Sequence, residues 1–180
     1  QVNLAGEYPG IRTALWIGAL NNDAVLETDY DETGTKTIRM VGDPTEGALL
    51  VAAAKAGAMP APLEQAYPRI EEIPFDSERK RMVTVHTIKQ PVAGDVSPFY
   101  DQEQQAWYVV AQKGAPDVVL ERCTHYQSRE DKAVPLDDEQ RRRILAANDR
   151  MTSQALRVLG VAYRVVKDLD YHKNAELKDE

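Results

Sequence analysis

The 180-residue sequence predicts an α+β domain, a mainly antiparallel β-sheet flanked by helices. Three observations lead there. Strand-like runs come in pairs joined by turn residues, and the helix-like runs stand apart instead of alternating with single strands. No GxGxxG and no GxxxxGK[ST] run occurs, so a Rossmann turn and a P-loop are both excluded.

The elements follow in order. From Tyr8 to Leu20, Ile11, Leu15 and Ala19 recur every four residues, and Pro9 suits a first helical turn; Asn21-Asn22-Asp23 stops this helix. Ala24 to Tyr30 and Thr35 to Val41 read as strands around an Asp31-Glu32-Thr33-Gly34 hairpin turn. Asp43 as N-cap, Pro44 at the first helical position and Glu46 at the third make a capping-box arrangement for a helix reaching Gly57. Met59 to Pro68, with three prolines, predicts a loop. Arg69 to Pro74 reads as a short strand, and Arg81 to Ile88 as a half-buried one.

Gln90 to Gln105 carries Pro91, Gly94, Pro98 and several acids, the composition of a solvated hairpin loop. Trp107 to Gln112 is rich in aromatic and β-branched residues and reads as a strand. Lys113-Gly114-Ala115-Pro116 turns it into a helix reaching Cys123. Gln127 to Pro135 is polar and turn-rich. Asp137 caps a helix from Asp138 to Ser153, with Gln140 in the reciprocal position. Leu156 to Val166 is the last strand, and the polar stretch from Asp168 to Glu180 is expected to fray.

Composition narrows the function. With 43% hydrophobic residues the chain can build a core, and its length suits one domain over 1–180, with a core of about 8–166 and a polar tail over 167–180. Lys+Arg 22 against Asp+Glu 29 gives −7, the wrong balance for gripping a nucleic acid backbone. A lone cysteine, Cys123, forms no internal disulfide, and the dispersed His86, His125 and His172 make no zinc pattern. The longest small-apolar run, Ala48 to Ala54, falls far short of the roughly 20 residues that span a bilayer, so no direct membrane insertion is expected. Gln1 and Glu180 read as cuts in a longer protein.

Four segments carry a more specific signal. They are Val41-Gly42-Asp43-Pro44-Thr45-Glu46-Gly47-Ala48, Ile73-Pro74-Phe75-Asp76-Ser77-Glu78-Arg79-Lys80-Arg81-Met82, Lys113-Gly114-Ala115-Pro116-Asp117 and Leu156-Arg157-Val158-Leu159. In this order they resemble the nucleotide-binding (N) domain of P-type cation-transporting ATPases, in the calcium-pump branch and its bacterial relatives. The resemblance covers about Tyr8 to Arg164. Asp117 stands where the family usually has Glu, which retains the acid.

The resemblance implies that Phe75 stacks on adenine and that Glu46 accepts a hydrogen bond from the adenine exocyclic amine. It implies that Lys80 and Lys113 line the pocket and its mouth and that Gly114 leaves room for the base. Arg157 reaches the phosphates and Leu159 closes the apolar wall. The residue chemistry agrees. A flat aromatic face is a stacking platform, a carboxylate accepts from an amino group, and a guanidinium fork suits phosphate oxygens.

Each residue also has a plainer use. Glu46 can complete a capping box, Phe75 can be a core residue beside Pro74, and Arg79-Lys80-Arg81 can be a solvated basic turn. Lys113 to Pro116 can be an ordinary strand-to-helix connection and Arg157 an edge charge. Asp31-Glu32-Thr33-Gly34-Thr35 is similar to the family's Asp-Lys-Thr-Gly-Thr phosphorylation motif. However, Glu32 replaces the lysine, Lys36-Thr37 breaks the continuation, and the true motif lies upstream in a separate domain, so a hairpin turn is expected. Cys123 is expected to pack, with no base partner in sight.

The resemblance implies a cytosolic domain of an integral membrane pump, at the cytoplasmic face. Such a domain binds ATP, as Mg-ATP in the parent enzyme, releases ADP, and works with phosphorylation and actuator domains of the same chain. It contributes no catalytic residue and no metal ligand. A free-standing adenine-nucleotide sensor and an interaction domain are the alternatives.

Overall fold

The computed structural model describes residues 9–57, 60–89 and 107–169. Helix α1 (Pro9–Leu20) leads into a hairpin of β1 (Val25–Tyr30) and β2 (Lys36–Val41), then α2 (Pro44–Lys55) and α3 (Pro60–Ala66). Next come β3 (Arg69–Asp76), β4 (Arg81–Thr87), β5 (Tyr108–Gly114) and α4 (Pro116–Glu121). A small hairpin of β6 (His125–Gln127) and β7 (Ala133–Pro135), helix α5 (Asp138–Thr152) and β8 (Gly160–Val166) complete the domain. The main sheet has the order β3-β4-β5-β8, and every neighbour is antiparallel. This is the expected α+β class with a mainly antiparallel sheet. The expected solvated loop over 90–105 and the tail beyond 169 lie outside the described residues.

The core forms where α1 lies on the sheet. Trp16, Tyr67, Ile88, Val109 and Ala111 are fully buried, with Ile17 and Leu20 beside them. Trp16 meets Tyr67 and Tyr163 edge-on, at centroid distances of 5.5 and 6.4 Å, a favoured arrangement for aromatic quadrupoles.

Several elements differ from the sequence expectation, each for a physical reason. The proline-rich 60–66 segment is a helix, not a loop. Pro60 and Pro62 fall in its first turn, where the N–H groups have no intrahelical partner to lose. Its return is the burial of Leu63 and Ala66. The polar 127–135 stretch contributes to a hairpin, fastened to α1 by the Asp131 carboxylate. That group accepts from Arg12 Nη2 at 3.0 Å, Thr13 Oγ1 at 2.5 Å and Gln127 Nε2 at 2.9 Å. The last strand starts at Gly160, not Leu156. Helix α5 ends in a left-handed turn at Ala155 (φ 59°), with Leu156 N–H donating to Met151 O at 3.2 Å, so the chain reaches the sheet late.

Strand β4 is buried on both faces, not one. Cross-strand pairing of His86 with Val109 and Thr84 with Ala111 puts the polar members on the α1 side. They are satisfied internally. His86 Nδ1–H donates to Tyr67 O at 3.0 Å, which leaves Nε2 to accept from Thr84 Oγ1 at 2.9 Å. Burial pushes the imidazole down to about 4, with the nearby Arg69 charge adding to it, while the Tyr67 carbonyl opposes the shift. The depressed group stays neutral when folded and takes a proton when unfolded. Its contribution is therefore complete above pH 6.5 and lost as pH falls toward 4. Urea midpoints of wild type and His86→Gln measured across this range are expected to converge as pH falls; parallel curves would remove His86 as the source.

The local signals hold where chemistry is local. Asp43 caps α2, its carboxylate accepting from Thr45 N–H at 2.7 Å and Glu46 N–H at 3.3 Å. Asp137 caps α5 through Gln140 N–H at 2.7 Å. Asp31 Oδ1 gathers the Thr33 and Thr35 N–H groups, both at 2.9 Å, and the Thr33 hydroxyl at 2.6 Å, closing the β1–β2 turn. Those bonds, the Thr33 hydroxyl first, hold its carboxyl below the usual range. Cys123 packs with its thiol donating to Val119 O at 3.2 Å, and burial pushes that thiol up.

Candidate functional site

The four strands of the main sheet end together. Register pairs Asp76 with Arg81, Arg81 with Gly114, and Gly114 with Gly160. This edge therefore collects Phe75 from the end of β3, Lys80 before β4, Lys113 and Gly114 from the end of β5, and Leu159 before β8. The N-terminus of α2 brings Glu46 to Lys113. Arg157 acts electrostatically on Asp43, the cap of the same helix. All seven residues singled out from sequence belong to this one end of the domain.

Their environments differ sharply. Phe75 is 60% exposed, so it is not a core residue. Lys80 and Arg157 are exposed and Leu159 is half-buried. Lys113 is 5% exposed, and its Nζ donates to Glu46 Oε1 at 2.5 Å and to the Asn21 carbonyl. Burial lowers the lysine from its ordinary range, and the Glu46 carboxylate opposes that shift.

Glu46 does not serve as the capping box suggests. Oε2 accepts the Asp23 N–H at 3.1 Å and Oε1 accepts Lys113, so the side chain turns toward α1 and β5. The cap itself rests on Asp43. The Thr45 hydroxyl and N–H hold the Asp43 carboxyl below its usual range, with the Arg157 charge contributing in the same direction.

One reading needs correction. The Arg79-Lys80-Arg81 turn is not uniformly solvated. Arg81 is 4% exposed, with Nη1 reaching Gln112 Oε1 at 3.4 Å, and Arg79 Nη2 donates to Pro74 O at 2.8 Å. Only Lys80 of the three is exposed, on a left-handed backbone (φ 53°) that is uncommon outside glycine. At Gly114 the missing side chain makes room for the neighbouring strand. A Cβ there would lie 2.3 Å from Lys80 O and 2.8 Å from Arg81 Cα. That close approach lets Ala115 N–H donate to Lys80 O at 2.9 Å, tying the lysine turn to the end of β5.

Sequence reasoning missed the part played by Asn21, Asn22, Asp23 and Arg69. The guanidinium of Arg69 donates to Asn22 O at 2.6 Å, Leu20 O at 3.2 Å, Asp23 Oδ1 at 2.7 Å and Glu72 Oε2 at 2.6 Å. The only local signal was the Asn-Asn-Asp run, which reads as a helix stop.

Residues 10–180 match the family described as P-type ATPase, cytoplasmic domain N. The chain is 38% identical over 149 residues to the probable cation-transporting ATPase F of Mycobacterium tuberculosis, an alignment covering 83% of this chain and 14% of that protein. It is 34% identical over 161 residues to the calcium-transporting ATPase of Bacillus subtilis, covering 89% and 16%. It is 35% identical over 167 residues to the cation-transporting ATPase pma1 of Synechocystis, covering 93% and 16%. The protein belongs to the P-type ATPase cytoplasmic N-domain family. It spans 14–16% of the length of these relatives. Among the described residues, no helix is long and apolar enough to cross a membrane.

Proposed function

We propose that this domain binds ATP and presents its γ-phosphate to the phosphorylation domain of a P-type cation-transporting ATPase, at the cytosolic face of a membrane. The observation that carries the reading is an exposed aromatic ring, Phe75, at the same sheet end as a carboxylate–ammonium pair, Glu46–Lys113, that is almost withdrawn from water. The donor set suits an adenine nucleotide. Phe75 offers a stacking face. The Glu46 carboxylate has lone pairs left for an exocyclic amine after serving Lys113 and Asp23. Lys113 is neutralised by Glu46, so the cations for the phosphates are Lys80 and Arg157. They offset the −7 charge of the chain, which repels a polyanion at long range.

No group of this domain is asked to attack a phosphorus atom. In phosphoryl transfer, positioning and charge neutralisation supply most of the acceleration, and this domain supplies the positioning. Mg-ATP is the form expected in the parent pump. ATP and ADP, and the phosphorylation and actuator domains of the same parent, are its partners.

The test is a titration with ATP, ADP, AMP and adenosine. Phe75→Ala is expected to weaken all four alike, by on the order of 1–3 kcal/mol, because they share the base. Arg157→Ala is expected to weaken ATP and ADP, AMP less and adenosine hardly at all. Being exposed, Arg157 should contribute no more than about 1.5 kcal/mol, fading as salt rises. Adenosine binding that survives Phe75→Ala, in a folded domain, would put the base elsewhere.

A further inference from the structure

Three consecutive residues, Asn21, Asn22 and Asp23, hold both members of the Glu46–Lys113 pair. The Asn21 carbonyl accepts from Lys113 Nζ. Asn22 Nδ2 donates to the main-chain carbonyl of Glu46 at 3.0 Å and to Gly18 O at 2.8 Å, while its Oδ1 accepts from Ala24 N–H at 2.9 Å. The Asp23 N–H binds the Glu46 carboxylate. Glu46 is thus gripped at its backbone by residue 22 and at its side chain by residue 23, and the cation it meets is gripped by residue 21.

Both asparagines are buried, Asn21 completely and Asn22 at 7% exposure. The Asn21 side chain bridges the two central strands, its Nδ2 donating to Ala111 O at 2.8 Å and Met82 O at 3.3 Å. Its Oδ1 is buried with no partner among the described residues. Burying amides is costly unless they are bonded, and an orphaned acceptor adds to that cost. Such a network stabilises the fold less than it defines one geometry.

We propose that the Asn21–Asp23 turn is the positioning element of the base pocket, and that Asn22 is a positioning residue for base selectivity. The proposal rests on the reading of Glu46 as the adenine acceptor. Asn22 clamps the first turn of α2 to the last turn of α1 and so sets where the carboxylate stands against Lys113. Without that clamp, Glu46 and Lys113 remain but are no longer held at one separation. Recognition of an amino group against a carbonyl depends on that placement, whereas stacking on Phe75 and charge from Arg157 do not. Selectivity should therefore suffer more than affinity.

The experiment compares wild type, Asn22→Ala, Asn22→Ser and Leu63→Ala in the 180-residue domain. Leu63 is a buried apolar side chain of α3 and reports what general destabilisation does. ATP and GTP affinities are measured well below each melting temperature. Asn22→Ala is expected to lower the ATP:GTP affinity ratio about fivefold, the equivalent of one neutral hydrogen bond, with GTP affinity nearly unchanged. Asn22→Ser, which keeps one donor, should fall between, and it carries the test if the alanine variant does not fold. Leu63→Ala should leave the ratio alone. A ratio unchanged in both Asn22 variants, or lowered equally by Leu63→Ala, overturns the proposal.

A second measurement separates this failure from failure of the nucleotide reading. The Lys113 ammonium signal is followed by side-chain NMR in the nucleotide-free domain. It is expected to be slowly exchanging in wild type and Leu63→Ala, and to broaden in Asn22→Ala. If wild type does not distinguish ATP from GTP, the base-pocket reading falls. The positioning claim is then decided by this signal alone, and an identical Lys113 resonance in wild type and the Asn22 variants overturns it.

Discussion

Lys113→Met should cost about 3–5 kcal/mol of stability, the penalty typical of breaking a buried ion pair from one side. The methionine fills much the same volume, so packing loss is small and the effect is electrostatic. What remains is a carboxylate at Glu46 with 16% side-chain exposure and, among the described residues, the Asp23 N–H as its one hydrogen-bond partner, beside an Asn21 carbonyl that has lost the Lys113 donor. Adding Glu46→Gln to the same chain removes the stranded charge and should recover a large part of the loss, because replacing both charges costs less than removing one. Urea unfolding of the four proteins in the cycle measures this. A double variant destabilised by the sum of the two single losses would show that the two side chains do not depend on each other. The double variant should still bind ATP poorly, because a neutral amide is a weaker acceptor for an amine than a carboxylate.

Gly114→Ala should cost about 3 kcal/mol, the upper end for an inserted methyl group. The added carbon would stand 2.3 Å from a carbonyl oxygen, and that oxygen belongs to backbone, which cannot swing aside as a side chain does. Relief requires β4 and β5 to part at the sheet end, stretching the Ala115–Lys80 hydrogen bond and moving Lys80. Gly34→Ala is the comparison. It meets nothing within 4 Å, and its φ of +78° makes the penalty one of left-handed backbone alone, roughly 1 kcal/mol. Thermal melts and nucleotide titrations of both variants distinguish them: Gly114→Ala should lose stability and binding together, Gly34→Ala a little stability only. Comparable melting temperatures in the two would mean that the sheet end is pliable.

Much of this domain was legible before any fold was considered. The caps at Asp43 and Asp137, the turn at Asp31 and the order of the four segments need only interactions within a few residues, and such interactions are written in neighbouring letters. The exclusion of phosphate-binding glycine loops is equally local. The strands were recognisable because β-branched residues cluster in them, although their ends were less so, as the late start of β8 at Gly160 illustrates.

What tertiary structure decided was partnership. Glu46 and Lys113 stand 67 positions apart, and nothing near either residue says that they meet. The local pattern offered Glu46 a capping role, and the fold overrode it because β5 delivers an ammonium ion that burial leaves in need of a counter-charge. The same holds for Thr84 and His86, whose polarity in an alternating strand suggests solvent. They face the core because the antiparallel register sets them against Ala111 and Val109 and because they can bond to each other and to Tyr67. Arg81 is buried and Gly114 is crowded for a related reason: the strand beside each is fixed by pairing across the sheet. By itself the sequence determined the turns, the caps, the fold class and the list of residues worth watching. Which of those residues touch depended on a sheet register that long-range pairing alone establishes. Charges and amides withdrawn from water must take the partners that register brings to them.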